Sequence, residues 1–420
     1  MIKDGYKVDG EVGRFHFNTH RWVDKSGFTY NTATDLFPVL KAKQWYRTFG
    51  FKDIAMILGD VVNSYRSTTA LINRVRYQQL EGTPYRTLQT NTEKEGAELI
   101  DFLGKKTTHV LKRHRFSEDG AYKGDTEVFS SLKPAVLPEQ IIKAAAQRVG
   151  NQYSVEELLS NPVPFEDASK SVNIAIDDVS VKRQSEARHK DPKPAKEINK
   201  RKYVHNTVIR IDKDQKRYSL VGAGIKEAIR YLIAFLLSNS LIGHRFQFFT
   251  DGHTVLNDTI GSCFNWYPNW GIILDWFHLV KKCKELLSLA MRGRLVRNEI
   301  IGEVMPLLWH GLTNRAIRLL KEIEPEKVKD NEKLSKFIAY LERNKEMIPC
   351  YAMRKSLGLR NSSAIGEKMN DLIVSSRQKH NGMSWSKTGS LALAALTMAK
   401  LNGESQVWIE KKKLFFKIAA

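Results

Sequence analysis

Two acidic stretches in this chain stand where carboxylates are costly unless they do chemistry. Asp177-Asp178 falls in the middle of a run in which Val172, Ile174 and Ile176 alternate and Val179 and Val181 follow. Acids inside a strand are unfavourable unless something uses their charge. Asp251-Gly252 ends the apolar, aromatic run His244-Arg245-Phe246-Gln247-Phe248-Phe249-Thr250. A strand of that kind is buried on both faces, and open α/β sheets place their sites at the carboxyl ends of such strands. Asp-Gly after a strand is also an ordinary turn, so the rest of the chain has to decide. Carboxylates that meet in a cleft repel unless a cation bridges them, and hard oxygen ligands suit Mg²⁺ or Mn²⁺.

The elements around these acids come in a definite order. The strand at 171–181 leads into a basic run, Lys182 to Lys202, with nine basic and three acidic residues plus Pro192 and Pro194. It reads as a loop, with Lys182 and Arg183 at its base as candidate DNA contacts. Tyr203 to Ile211, a turn at Asp212-Lys213-Asp214, and Tyr218 to Val221 complete a meander. Ile225 to Leu237 has helical apolar spacing. The strand ending at Asp251, a helical stretch near Val255 and a strand Gly271 to Leu274 follow. Strand, strand, strand, helix, strand is the order of a ribonuclease H-like core, a mixed α/β sheet flanked by helices. In that fold the first and fourth strands are neighbours, which would bring Asp177 to Asp251. From Leu279 the apolar spacing is helical throughout, so 279–358 reads as an all-α insertion. The core then resumes over 359–402, and 403–420 is a C-terminal tail.

Residues 1 to about 40 show no clear period, and 1–165 as a whole reads as a mainly helical N-terminal region. Phe51–Leu58 and Ser67–Arg76 have helical spacing, with Ser67 a candidate N-cap. This pair fits a helix-turn-helix presenting Arg74 and Arg76 to DNA, or a plain α-hairpin. Thr92-Glu93-Lys94-Glu95 fits a capping box opening a long helix. Pro138 suits the first turn of another helix. Pro162-Val163-Pro164 marks a linker and domain boundary.

Of 420 residues, 67 are Lys or Arg and 46 Asp or Glu, a net charge of +21. That excess points to a polyanionic partner, most simply nucleic acid. Three cysteines, Cys263, Cys283 and Cys350, cannot build a disulfide framework or a four-thiolate zinc site, and they suit a reducing cytosol. Neither a signal peptide nor a membrane-spanning stretch is legible.

Together, Asp177 in a first strand, Thr250-Asp251-Gly252 after a fourth, Asp275-Trp276-Phe277-His278, and Glu367 in Gly366-Glu367-Lys368-Met369-Asn370 resemble a DDE transposase. The run Arg377-Gln378-Lys379-His380-Asn381-Gly382-Met383-Ser384-Trp385-Ser386 is similar to bacterial insertion-sequence members of that superfamily. The Asp-x-x-His element resembles one found in Mutator-like relatives. The resemblance covers about 170 to 400, and the long interval before Glu367 resembles members with a helical insertion.

It implies metal-dependent DNA cleavage and strand transfer at element ends, with two Mg²⁺ or Mn²⁺ ions held by Asp177, Asp251 and Glu367. Asp178 is the alternate for the first position and Asp371, one helical turn after Glu367, for the third. The resemblance favours Asp177, with Asp178 turned the other way. Asp275 and His278 take a structural or DNA-positioning role. Arg377, Lys379 and Trp385 fit phosphate contact and stacking on a base, or equally a role holding the chain end onto the core, with packing favoured for Trp385. The implied partners are terminal inverted repeats, target DNA and further copies of the chain on DNA, in a bacterial cytoplasm at the nucleoid. Two other functions fit: a DNA-binding protein derived from a transposase without catalysis, and a ribonuclease H-like structure-specific nuclease.

Overall fold

The computed structural model describes residues 2–418 except 43, 63, 79–81, 131, 133–134, 151, 185–202, 363–367 and 380–381. The protein is mixed α/β with two mixed sheets. Its chain divides into two compact units, interleaved in sequence. The first takes residues 1–106, 179–206 and 371–416, and the second takes 107–178, 207–370 and 417–420. No helix among the described residues is long and apolar enough to cross a membrane.

The first unit opens on a four-stranded sheet, where the sequence reading had placed part of a mainly helical region. Its strands are β1 (Ile2–Gly10), β2 (Gly13–Val23), β3 (Thr29–Asn31) and β4 (Trp45–Arg47), in the order β3-β2-β1-β4. Tyr6, Ala33 and Leu40 form a small core under one face. Helices Phe49–Val61 and Tyr65–Val75 follow, and Phe51, Ala55 and Ile72 of this pair share a core with Leu88 of the next helix. The second helix is capped by Ser64, whose side chain accepts from the Ser67 amide, so Ser67 lies inside the helix rather than at its cap. The long helix runs from Tyr85 to Arg113. Thr92 is therefore internal, its hydroxyl donating to the Leu88 carbonyl, and the capping-box pattern there marks no helix start. The C-terminal part adds helix Lys387–Leu401 and a short helix Ser405–Lys411. Trp408 and Ile409 of the latter are buried, so this part of the region read as a C-terminal tail is packed structure.

The second unit holds most of a five-stranded sheet. Its strands are β5 (Ser171–Lys182), β6 (Tyr203–Lys213), β7 (Lys216–Gly222), β8 (Arg245–Thr250) and β9 (Trp270–Leu274). They lie in the order β7-β6-β5-β8-β9. β6 and β7 are antiparallel, whereas β5–β8 and β8–β9 are parallel. The β6–β7 hairpin turns at Asp214 and Gln215, both with positive φ. Asp212, read from the sequence as part of this turn, is instead a buried strand residue. All six residues of β8 are buried, as a central parallel strand requires. Helix Ile225–Ser238 carries eight buried side chains, Ala228 to Leu236 among them, and packs on β7.

Between β9 and residue 358 the chain is helical apart from one isolated bridge, Met291 to Val328. These helices share a core with Phe249, Ile273 and Leu274 at the sheet's edge. Val163 is buried in the same core. The Pro162–Pro164 stretch accordingly lies within the second unit, with both prolines exposed, and the division between units falls elsewhere.

Candidate functional site

The parallel pairing of β5 with β8 sets the geometry. Ile174 lies opposite Phe248 and Ala175 opposite Phe249. Two residues further along the same register, Asp177 meets Asp251. Both acids line one cleft with Ala175, Val208, Arg210, Thr250, His278 and Asn370. Alternation along β5 turns Asp178 the other way. It is exposed and accepts a hydrogen bond from the Thr207 hydroxyl.

Each acid is held by its surroundings. The Asp177 carboxylate accepts from the Asn370 amide nitrogen and from the Asp178 backbone N–H at 2.8 Å. Asp251 accepts from the His253 amide at 2.9 Å, and its carbonyl accepts from Tyr340 Oη at 3.0 Å. Tyr340 comes from the helical segment after β9, which also fixes the end of β9 through Tyr351 Oη donating to the Leu274 carbonyl at 2.6 Å. The turn after Asp251 demands glycine. Gly252 has φ +82°, and a Cβ there would lie 2.9 Å from Leu274 and from Asn344. The strand end is thus clamped by that helical segment, which keeps the carboxylate at the carboxyl end of β8.

Burial, with the Asp251 carboxylate alongside, pushes the Asp177 carboxyl up to about 6, and His278 acts against this. A raised carboxyl beside a second one is the mark of two acids competing for one space. Asp275 is a helix N-cap, accepting from the Phe277 and His278 amides at 2.7 and 3.2 Å. It is buried, and the cap aims His278 into the cleft. Arg210 also lines the cleft, but its guanidinium is paired with Asp212 at 3.1 Å, and Asp212 in turn holds Arg360 at 2.8 Å.

The remaining predicted residues fall in several places. Glu367 lies outside the described residues. Asp371 is exposed at the start of a π-helical turn, and the residue reaching Asp177 from that stretch is Asn370. Arg74 is exposed. Arg76 is not. Its side chain is buried, pairs with Asp9 at 3.0 Å and lies over the Phe51 ring, so it holds the helix pair onto the sheet and has no face for DNA. Lys182 is exposed, while residues 182–184 form a bridge to Trp385 through backbone hydrogen bonds at 2.9 Å. Arg183, next to it, belongs to that bridge.

Arg377 is a second correction. It is buried, donates to the Gly59 carbonyl at 2.7 Å and stacks against Tyr65 and Trp385. Its charge serves packing in the first unit rather than phosphate contact. Trp385 is buried, with its indole N–H donating to the Gln378 carbonyl at 3.0 Å. Lys379 is exposed.

Asn370 and Arg210 are cleft residues that sequence reasoning did not single out. Both sit within elements already read, but an amide and a paired arginine carry no distinctive signal.

No family model and no curated protein matches the chain. Among solved structures it is similar to the Drosophila P element transposase strand transfer complex, at 11% identity, covering 82% of this chain and 85% of that one, with a TM-score of 0.22. A likeness at that level carries no argument about this chain.

Proposed function

We propose that the protein is a metal-dependent DNA strand-cleaving and strand-transferring enzyme, a transposase of the DDE kind on a ribonuclease H-like core, acting on the ends of an insertion sequence as an oligomer on DNA. The observation that supports it most is the meeting of Asp177, inside β5, with Asp251, just past the end of the adjacent parallel strand β8, in a sheet of order β7-β6-β5-β8-β9.

The donor chemistry fits a hard divalent cation. Two carboxylates share one cleft, and burial together with the Asp251 charge raises the Asp177 carboxyl to about 6. Oxygen donors of this type take Mg²⁺ or Mn²⁺. Among the described residues no group of three or more His, Cys, Asp or Glu side chains is close enough to hold a metal. A third carboxylate would come from Glu367. A bound pair of ions supplies charge neutralisation on the entering and leaving oxygens of a phosphodiester.

The chain's own residues hold the acids for that task. Asn370 orients the Asp177 carboxylate, Tyr340 fixes the backbone at Asp251, and the Asp275 cap positions His278 at the cleft wall.

Incubation of the protein with end-containing DNA, Mg²⁺ and a target plasmid tests the proposal. Cleavage and joined product that vanish with EDTA, and in Asp177→Asn and Asp251→Asn, are expected. Cleavage without any joined product would leave a nuclease, and cleavage that survives EDTA or both substitutions would sink the reading.

A further inference from the structure

The first unit contains a second polar cleft, apart from the acid pair. It lies beside β4 and the long helix Tyr85–Arg113 and encloses about 360 Å³, at the small end of the range of small-ligand sites, about 300–1,000 Å³. Five cations line it, Lys41, Arg47, Lys52, Lys94 and Lys412, against two acids, Glu95 and Glu98. The acids are already engaged. Glu95 is paired with Lys52 at 2.8 Å and with Lys412, which also reaches Glu98 at 3.1 Å. That leaves Lys41 and Arg47 with no ion pair among the described residues.

Two donors at this cleft are buried without an acceptor. Arg47 Nε and Asn91 Nδ2 find no hydrogen-bond partner among the described residues. Buried donors are rarely left so, and each such group calls for an explanation. Burial pulls the Arg47 guanidinium down from its ordinary range, with the Arg14 cation adding to this and Asp9 acting against it. The same wall carries Trp45, whose indole is held by Arg14 stacked at 3.7 Å and by His16 edge-on at 4.9 Å. Unpaired donors, surplus positive charge and a fixed aromatic ring ask for a ligand that is anionic, rich in acceptors and able to stack. A single nucleic-acid strand has all three properties. A duplex does not offer its base faces.

We propose that this cleft binds a single DNA strand, with Arg47 and Asn91 donating to phosphate oxygens, Lys41 and its neighbours neutralising the backbone, and Trp45 receiving a base. The choice of DNA rests on the function proposed above; the strand chemistry rests on the cleft.

The test is fluorescence anisotropy with a labelled oligo-dT, a duplex of equal length, and inorganic tripolyphosphate as competitor. It uses the full chain carrying Asp177→Asn, in EDTA, so that loss of the cleavage reading leaves this measurement intact. Lys41→Glu, at an exposed position, and Arg47→Met are compared with that parent, with melting temperatures measured in parallel. Each should weaken oligo-dT binding about tenfold and lower the salt slope by about one, at unchanged melting temperature for Lys41→Glu. Should Arg47→Met fail to fold, Lys41→Glu carries the test alone. Binding by Lys41→Glu equal to the parent overturns the proposal. So does a duplex that binds more tightly than the single strand, or tripolyphosphate that displaces oligo-dT at equal phosphate concentration.

Discussion

Asp177 and Asp251 face one another across the seam between β5 and β8, two residues beyond the paired Ala175 and Phe249. Neighbouring parallel strands carry matching residues side by side, so an acid on each is brought into one cleft by register alone. The same alternation excludes Asp178, which is exposed and bonded to Thr207. Asp177→Asn should abolish metal-dependent cleavage while leaving DNA binding unchanged, since shape is kept and one charged ligand is lost. Asp178→Asn should retain most activity. Cleavage and binding assays run in parallel on the two variants decide this, and the reverse pattern would put the active face of β5 one residue out.

The raised Asp177 carboxyl makes stability depend on pH in a defined direction. Its folded value, about 6, exceeds the unfolded 3.8, so the folded protein binds this proton more tightly. The resulting stabilisation is full below about pH 4 and is lost as pH rises through about 6. Between those limits, metal-free protein should lose stability relative to Asp177→Asn, which has no such proton to give up. Mg²⁺ should raise the melting temperature more at pH 7.5 than at pH 5. Thermal melts of both proteins across this range check it, and parallel curves with no metal effect would remove Asp177 from the account.

Arg76 is predicted to be a stability residue. Its partner Asp9 is fully buried, and Thr83 bonds to the same carboxylate at 3.0 and 3.1 Å. Removing one member of a buried pair costs about 3–5 kcal/mol when the other is left uncompensated, and here Arg14, 3.6 Å from Asp9, holds the loss to the lower end of that range. Arg76→Ala should therefore lower the urea midpoint sharply, whereas Arg74→Ala, at an exposed position, should stay within about 0.5 kcal/mol. A stable Arg76→Ala with weakened DNA binding would restore the helix-turn-helix assignment.

What could be read from sequence follows physical lines. β8 is legible because all six of its residues are buried and three of them are phenylalanines. β5 is legible because Val172, Ile174 and Ile176 share one buried face. The N-terminal sheet is not. Phe15 and Phe17 of β2 stay exposed, so its alternation marks no buried side, and β3 and β4 have only three residues each, too few to show a period. Arg76 and Arg377 misled for another reason. A cation near a helix end reads as solvated, and only partners remote in sequence, Asp9 for one and Gly59 with Tyr65 for the other, turn it inward. Asn370 was invisible because a neutral amide three positions after Glu367 has no charge pattern to flag it.

Two glycines in the helix Tyr85–Arg113 should answer the same substitution with opposite signs. Glycine in a helix interior ordinarily costs about 1 kcal/mol relative to alanine. At Gly104 a Cβ would meet nothing within 4 Å, so Gly104→Ala should stabilise by roughly that amount. At Gly96 the added Cβ would collide with the backbone of Ala392, in the buried helix Lys387–Leu401. Backbone cannot swing aside as a side chain does, and overpacking of this kind costs about 1–3 kcal/mol or more. Gly96→Ala should therefore destabilise despite its better helix propensity. Equilibrium denaturation of the two single variants tests this directly. If both gain stability, the close approach of these two helices at Gly96 is wrong, and with it the packing of the first unit around Lys387–Leu401.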